Sequence, residues 1–400
     1  MSAGALHRGR EVPARSLVER LAIRTLAPVL DAIEGGTLEV RLPHGEELRF
    51  GSGPAVRMTV EDARLFRRLA SRPRLGLGES YQAGEWRSDD LPRLLELLLR
   101  NAGGGAARHP LLRRFAYARP RLNRRTGLLA ARRNIRRHYD LGNDLFALFL
   151  DETMTYSCAV FERDGEPLAD AQRRKLRMVC EKLELGPDDH VLEIGCGWGS
   201  FALIAAGEYG ARVTGITLSP AQAEIARQRA AQAGLADRVE IRLQDFRKTT
   251  GTFTKVASIE MVEAIGDALL PEYFAAIDRV LAPGGSACIQ SILVPDARFR
   301  RYRSSPDWIE RHVFPGCLIP SLGALGAAAG RLRLRDVDLI GSHYAETLAR
   351  WRAAFLARLD EVRALGFDDR FIRTWDFYLS CCEALFRAGL LDDAQLLVSR

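Results

Sequence analysis

The chain has 400 residues, 47% of them hydrophobic and 27% charged, the proportions of a globular protein and not of a fibrous or wholly disordered one. At roughly 100–200 residues per domain, this length predicts about two domains. No apolar run approaches the ~18 residues of a membrane-spanning helix, residues 1–15 hold no apolar export segment, and the seven cysteines are scattered without a C-x-x-C pair, so reduced thiols in the cytosol are expected, not disulfides or a zinc site.

In chain order, Leu17, Leu21, Leu26, Leu30 and Ile33 fall at helical spacing and predict a helix over 14–34 that ends at Gly35–Gly36. Leu38, Val40 and Leu42 alternate, a turn runs from Pro43 to Gly45, and Leu48 and Phe50 follow, which predicts two strands. Leu91–Leu99 reads as a further helix, and Asn101–Gly105 breaks the chain. These elements set a first, smaller α+β domain over 1–104.

Between Gly105 and Tyr139 stand eleven arginines and no Asp or Glu: Arg108, Arg113, Arg114, Arg119, Arg121, Arg124, Arg125, Arg132, Arg133, Arg136 and Arg137. Removing them from the net charge of +7 leaves −4 for the remainder, so the basicity is one local patch. A patch of one sign contacts an anionic partner or stays solvated against its own protein. Leu111, Leu112, Phe115, Tyr117, Leu122, Leu128 and Leu129 are interspersed, which favours an anionic bilayer surface over nucleic acid. Residues 105–135 are read as an arginine-rich connector.

From 136 to 400, short apolar runs alternate with helical patterns. Strands are expected at Val191–Ile194, Arg212–Thr217, Val239–Leu243, Val256–Met261 and Ala287–Val294, with helices after the first two, to Glu208 and over Pro220–Ala233. This alternation predicts an α/β domain with a parallel sheet covered on both faces. Glu193-Ile-Gly195-Cys-Gly197-Trp-Gly199 sits where the first strand meets its helix, where glycines let the backbone approach a ligand and free the helix N-terminus. The third glycine of a dinucleotide fingerprint would fall at Ser200, so the turn resembles instead that of Rossmann-like S-adenosylmethionine-dependent methyltransferases. The second strand ends Thr217-Leu218-Ser219-Pro-Ala-Gln222 without the usual ribose-binding acid, which leaves hydroxyl and amide groups for that task.

A more specific resemblance follows from further motifs. Arg136-Arg-His138-Tyr-Asp140-Leu-Gly142-Asn143-Asp144, Met154-Thr-Tyr156-Ser157-Cys158-Ala159, Ser258-Ile-Glu-Met-Val-Glu263, Phe314-Pro-Gly-Cys-Leu318-Ile-Pro320, His343-Tyr344 through Trp351 and Tyr378 through Phe386 occur in order with the glycine turn. Together they resemble the cyclopropane-fatty-acyl-phospholipid synthases over 136–395. Gly76-Leu-Gly78-Glu79-Ser-Tyr81 through Trp86 resembles that family's small accessory domain.

The resemblance implies S-adenosylmethionine held by Tyr156, Ser157, Glu193, Gly195, Gly197, Trp198, Gly199, Thr217, Leu218, Ser219, Gln222, Gln244 and Asp245. It implies methylene transfer to the double bond of an unsaturated acyl chain in membrane phospholipid, by a homodimer peripheral on the inner face of the membrane, with no nucleic acid. An isolated alkene gains little from an activating base; alignment and exclusion of water matter more. The resulting carbocation favours an apolar, aromatic site, and a base must then take a proton from the new methyl. The resemblance assigns that step to a bound bicarbonate held by Cys158, Glu263, Tyr344 and the backbone of Ile292. Gln290 stands where better-known members have histidine, and Ala264 where many have histidine after the glutamate. Alone, Cys158 reads as a small buried residue and Tyr344 as packing, whereas Glu263 in an apolar run favours a site role. Alternatives are methylation without ring closure, a lipid-binding protein without catalysis, and a nucleic-acid methyltransferase. The last is disfavoured, because Ile259–Glu263 matches neither motif expected of one.

Overall fold

The computed structural model describes residues 17–72, 75–102, 141–304 and 307–400. The arginine-rich connector, and the His138 region of the motif that follows it, lie outside the described residues. The chain divides into two compact units, separated within 103–140.

In the first unit, α1 (Leu17–Leu30) precedes a sheet of order β2-β1-β3-β4, formed by β1 (Gly36–Arg41), β2 (Glu47–Ser52), β3 (Ala55–Val60) and β4 (Trp86–Ser88). β1 and β2 are the expected hairpin. β3 runs parallel to β1, and β4 antiparallel to β3. Neither β3 nor β4 was expected, nor were α2 (Arg64–Ser71) and α3 (Gly76–Gln82). α4 (Leu91–Asn101) is the expected helix; the Asp90 carboxylate caps it by accepting from the Arg93 backbone N–H at 3.1 Å.

The second unit is a seven-stranded sheet of order β10-β11-β9-β8-β5-β6-β7. Its parallel part comprises β5 (His190–Ile194), β6 (Arg212–Thr217), β7 (Val239–Leu243), β8 (Phe253–Ile259) and β9 (Leu281–Leu293). Leu176, Val191, Phe201 and Ala226 share one core layer, and Leu192, Val256, Tyr273 and Ile277 share the other. Apolar runs such as Val191–Ile194 are therefore buried on both faces, as a covered parallel sheet requires. The covering helices include α5 (Asn143–Phe149), α6 (Leu168–Lys182), α7 (Ser200–Tyr209), α8 (Pro220–Gln232) and α9 (Leu270–Val280).

The sheet is mixed, not wholly parallel. Two longer helices, α10 (Tyr344–Ala357) and α11 (Asp369–Arg387), lie in sequence between β10 (Arg333–Leu339) and β11 (Asp392–Ser399). β11 pairs antiparallel with both β9 and β10. Its polar start, Asp392-Asp393-Ala-Gln395, hides the strand pattern in the sequence, yet Asp393 and Gln395 are turned to use in the site.

Candidate active site

β5 carries Glu193 to the floor of a cleft and then turns. Gly195 and Gly197 hold left-handed backbone at φ +85° and +51°, and Gly199 at φ +86° opens α7. A side chain at Gly195 would meet Met261 Cγ at 2.7 Å, so glycine here is what lets β5 and the loop after β8 close on one another. Across the cleft, the loop after β6 is held by its own polar groups. Thr217 Oγ1 donates to Gln222 Oε1 at 3.1 Å and accepts from the Ser219 backbone N–H at 3.2 Å. The Ser219 hydroxyl accepts from the Gln222 N–H and caps α8. Trp198 Nε1 donates to Asn143 Oδ1 at 2.8 Å, which ties α5 to the glycine turn.

The cleft is a cavity of about 1150 Å³, its open mouth included. Of the expected cofactor residues, Tyr156, Ser157, Glu193, Gly195, Gly197, Trp198, Thr217, Leu218, Gln222, Gln244 and Asp245 line it. Gly199 and Ser219 are not on its wall and act by shaping helix starts. The Asp245 carboxylate is paired with the Arg247 guanidinium at 2.6 Å.

The expected reaction residues separate into two groups around two different carboxylates. Glu260, at the end of β8, is the acceptor for the first. Its Oε1 accepts from the Cys158 backbone N–H at 2.7 Å and from Gln290 Nε2 at 2.9 Å, and its Oε2 accepts from the Tyr344 hydroxyl at 2.5 Å. Glu263 forms the second group: its Oε1 accepts from the Ile292 N–H at 2.6 Å and the Ser291 hydroxyl at 3.0 Å. The Cys158 thiol points to the carbonyls of Ala159 and Ile340. So the structure joins Cys158, Gln290 and Tyr344 as expected, but around Glu260 and not around Glu263. The sequence reading passed over Glu260 because a glutamate three residues on matched the motif. One backbone feature marks it afterwards: φ at Glu260 is +47°, rare for a side chain of this size.

Two more groups were missed. Lys175 of α6 is fully buried; its ammonium donates to the Ser157 hydroxyl and lines the same cleft as Glu193 and Glu260. Its position on the apolar face of α6, with Ala171 and Val179, was the available signal. Asp393 of β11 is buried and accepts from Gln290 Nε2 at 2.9 Å, while Gln395 Nε2 donates to Gln290 Oε1 at 3.2 Å.

Burial dominates the electrostatics. It lifts Glu193 to about 8 against the pull of Lys175. It also lifts Glu263 to about 8, and the charge of Glu260 adds to this. Asp393 is lifted well above the carboxylate range by burial and by the charges of Glu260 and Glu263. Glu260 is raised less, because Lys175, the Tyr344 hydroxyl and the Cys158 N–H all favour its ionised form. These neighbours favour negative charge on Glu260 over Asp393. Burial likewise keeps Cys158 a thiol and Tyr344 a phenol, and it draws Lys175 downward against the neighbouring acids.

These residues fit S-adenosylmethionine. Glu193 Oε2 is buried on the cleft without a partner, an arrangement that a cationic or hydroxyl-bearing ligand satisfies. They do not fit the expected bicarbonate. The Tyr344 hydroxyl and Gln290 amide are engaged by Glu260, the Ile292 N–H is engaged by Glu263, and a further anion would join three acidic groups with Lys175 as the cation beside Glu260. The chain's own carboxylates occupy the donors that the resemblance gives to that anion.

The described residues contain no helix long and apolar enough to cross a membrane. The family profile for mycolic acid cyclopropane synthetase matches residues 128–396. The chain is 43% identical over 343 residues to the tuberculostearic acid methyltransferase UfaA1 of Mycobacterium tuberculosis, covering 82% of this chain and 79% of that one. It is 35% identical over 351 residues to a cyclopropane-fatty-acyl-phospholipid synthase of Escherichia coli, covering 88% and 89%. The crystal structure of mycolic acid cyclopropane synthase CmaA1 complexed with SAH and CTAB superimposes with a TM-score of 0.63 at 30% identity, over 67% of this chain and 98% of that one. With its glycine turn, its orphaned Glu193 and its mixed seven-stranded sheet, this chain belongs to the mycolic acid cyclopropane synthetase family and is an S-adenosylmethionine-dependent methyltransferase.

Proposed function

We propose that the protein transfers a methyl carbon to the double bond of an unsaturated acyl chain in membrane phospholipid and closes it into a cyclopropane ring. One observation carries this reading: a single cavity is lined by the cofactor residues Glu193, Gly195 and Trp198, by the apolar side chains of Met261, Ile265 and Leu269, and by the Glu260 carboxylate. S-adenosylmethionine supplies an electrophilic methyl on a sulfonium. The glycine turn, Thr217 and Gln222 hold and orient it, and Glu193 complements its positive charge. Met261, Ile265 and Leu269 supply the apolar surface that an alkene needs and exclude the water that would trap a cation. Tyr156 stands at the edge of an aromatic cluster, 5.1 Å from the Trp351 ring and 5.2 Å from the Phe146 ring, and is suited to facing positive charge.

A second reading is favoured by the 43% identity to a relative named as a tuberculostearic acid methyltransferase. In it the same methyl transfer ends in a methylene chain, the cation losing a proton without ring closure. The protein is expressed in a host rich in monounsaturated phospholipids, and the fatty acids are analysed by gas chromatography with mass spectrometry. A product one CH₂ heavier with cyclopropane retention is expected; the same mass with methylene retention moves the assignment to the second reading. An unchanged lipid profile, from folded protein that binds S-adenosylmethionine, removes both.

A further inference from the structure

We propose that Glu260 is the base that takes the proton from the newly added methyl group, a carboxylate built into the chain in place of a bound anion. The inference rests on the methyl-transfer reading above. Glu260 lines the cofactor cavity. It collects the Tyr344 hydroxyl, the Gln290 amide and the Cys158 N–H in one carboxylate. Its own backbone N–H donates to the Gln290 carbonyl at 2.9 Å, which fixes the start of the side chain. Lys175 and Ser157 flank it from α6 and the preceding loop, and Asp393 faces it from β11. A residue placed for packing alone would not hold a left-handed backbone in order to bury a charge.

Glu260 accounts for the amide of Gln290 in place of an ionisable ring. A histidinium there would pair with Glu260 and quench it as a base. The amide instead donates to Glu260 and to Asp393 and keeps both in position without adding charge.

The step balances as follows. Methyl transfer forms a C–C bond to one alkene carbon, breaks the S–CH₃ bond and leaves positive charge on the neighbouring alkene carbon. Glu260 accepts a proton from that methyl. The electron pair of the broken C–H bond forms the third side of the ring, and the neutral Glu260 later yields its proton to solvent.

The test uses the full-length protein with unsaturated phospholipid vesicles. Wild-type turnover is expected to be the same in carbonate-free buffer and with millimolar bicarbonate. Glu260→Gln is expected to lower kcat by about 100-fold or more while leaving SAH affinity, read by calorimetry, unchanged. Glu260→Gly removes the carboxylate from a position whose backbone glycine adopts freely. It is expected to lose turnover and to regain it on addition of bicarbonate, formate or acetate. A readout independent of turnover is ¹³C line broadening of labelled bicarbonate, expected with the SAH complex of Glu260→Gly and not with that of the wild type. Wild-type turnover that requires bicarbonate, bicarbonate broadening by the wild type, or an undiminished kcat in Glu260→Gln overturns the proposal. A wild type that binds SAH but methylates no unsaturated chain overturns the reading beneath it instead.

Discussion

Glu193 carries the charge balance of cofactor binding. Burial holds its carboxyl up at about 8, and the cation that faces it within the fold is Lys175. In the free protein at neutral pH it is therefore mostly protonated. The ammonium and sulfonium of S-adenosylmethionine favour the carboxylate and lower its pKa in the complex. A group whose pKa falls on binding releases a proton, so affinity should rise with pH up to about 8 and level off above it. Calorimetry in buffers of different ionisation heat measures that proton; Glu193→Gln should abolish both the release and the pH dependence. At this scale Glu193, Gln222 and Tyr344 were legible as motif residues, whereas only the fold shows that Glu260 faces Tyr344 and that Glu263 faces the Ile292 N–H. Lys175 was missed because its partners, Ser157 and Glu260, come from other elements.

The turn between β5 and α7 was legible because its reasons are local: an apolar run, then glycines where backbone must adopt positive φ. Its tightest point is Gly195. A methyl group there would sit 2.7 Å from Met261 Cγ and 3.0 Å from Met261 Cβ, on backbone at φ +85°. Gly195→Ala is expected to lower stability by about 1–3 kcal/mol. It should also weaken SAH binding and turnover together, since Met261 directly follows Glu260. Urea denaturation and calorimetry check this; a variant as stable as the parent, with unchanged SAH affinity, contradicts it. β3, β4, β10 and β11 were not legible. Their reasons are non-local, and β11 in particular carries Asp393 and Gln395, which only the site explains. Asp90, Ser219 and Asp368 each begin a helix by accepting from the backbone N–H three residues on.

For the molecule as a whole, charge is divided unevenly. The eleven arginines of 105–139 stand against a remainder of net charge −4, and we propose that this segment docks the enzyme on anionic bilayers. Co-sedimentation with vesicles should then require anionic lipid and weaken as salt rises, because the Debye length is only about 8 Å at physiological ionic strength. Binding that ignores both lipid charge and salt contradicts it. The α/β architecture of the second compact unit was readable from strand–helix alternation.

The topology of that second unit also imposes an order on its assembly. β10 has no partner in the sheet except β11, and β11 must enter between β9 and β10 after α10 and α11 have been traversed. The parallel strands and the glycine turn do not wait for it; Asp393 and Gln395 arrive with it. Folding pairings of such long sequence separation are slow to form. In a refolding time course the capacity to bind the nucleoside ligand should therefore recover before the capacity for turnover, so the two functions of one cavity become separable in time.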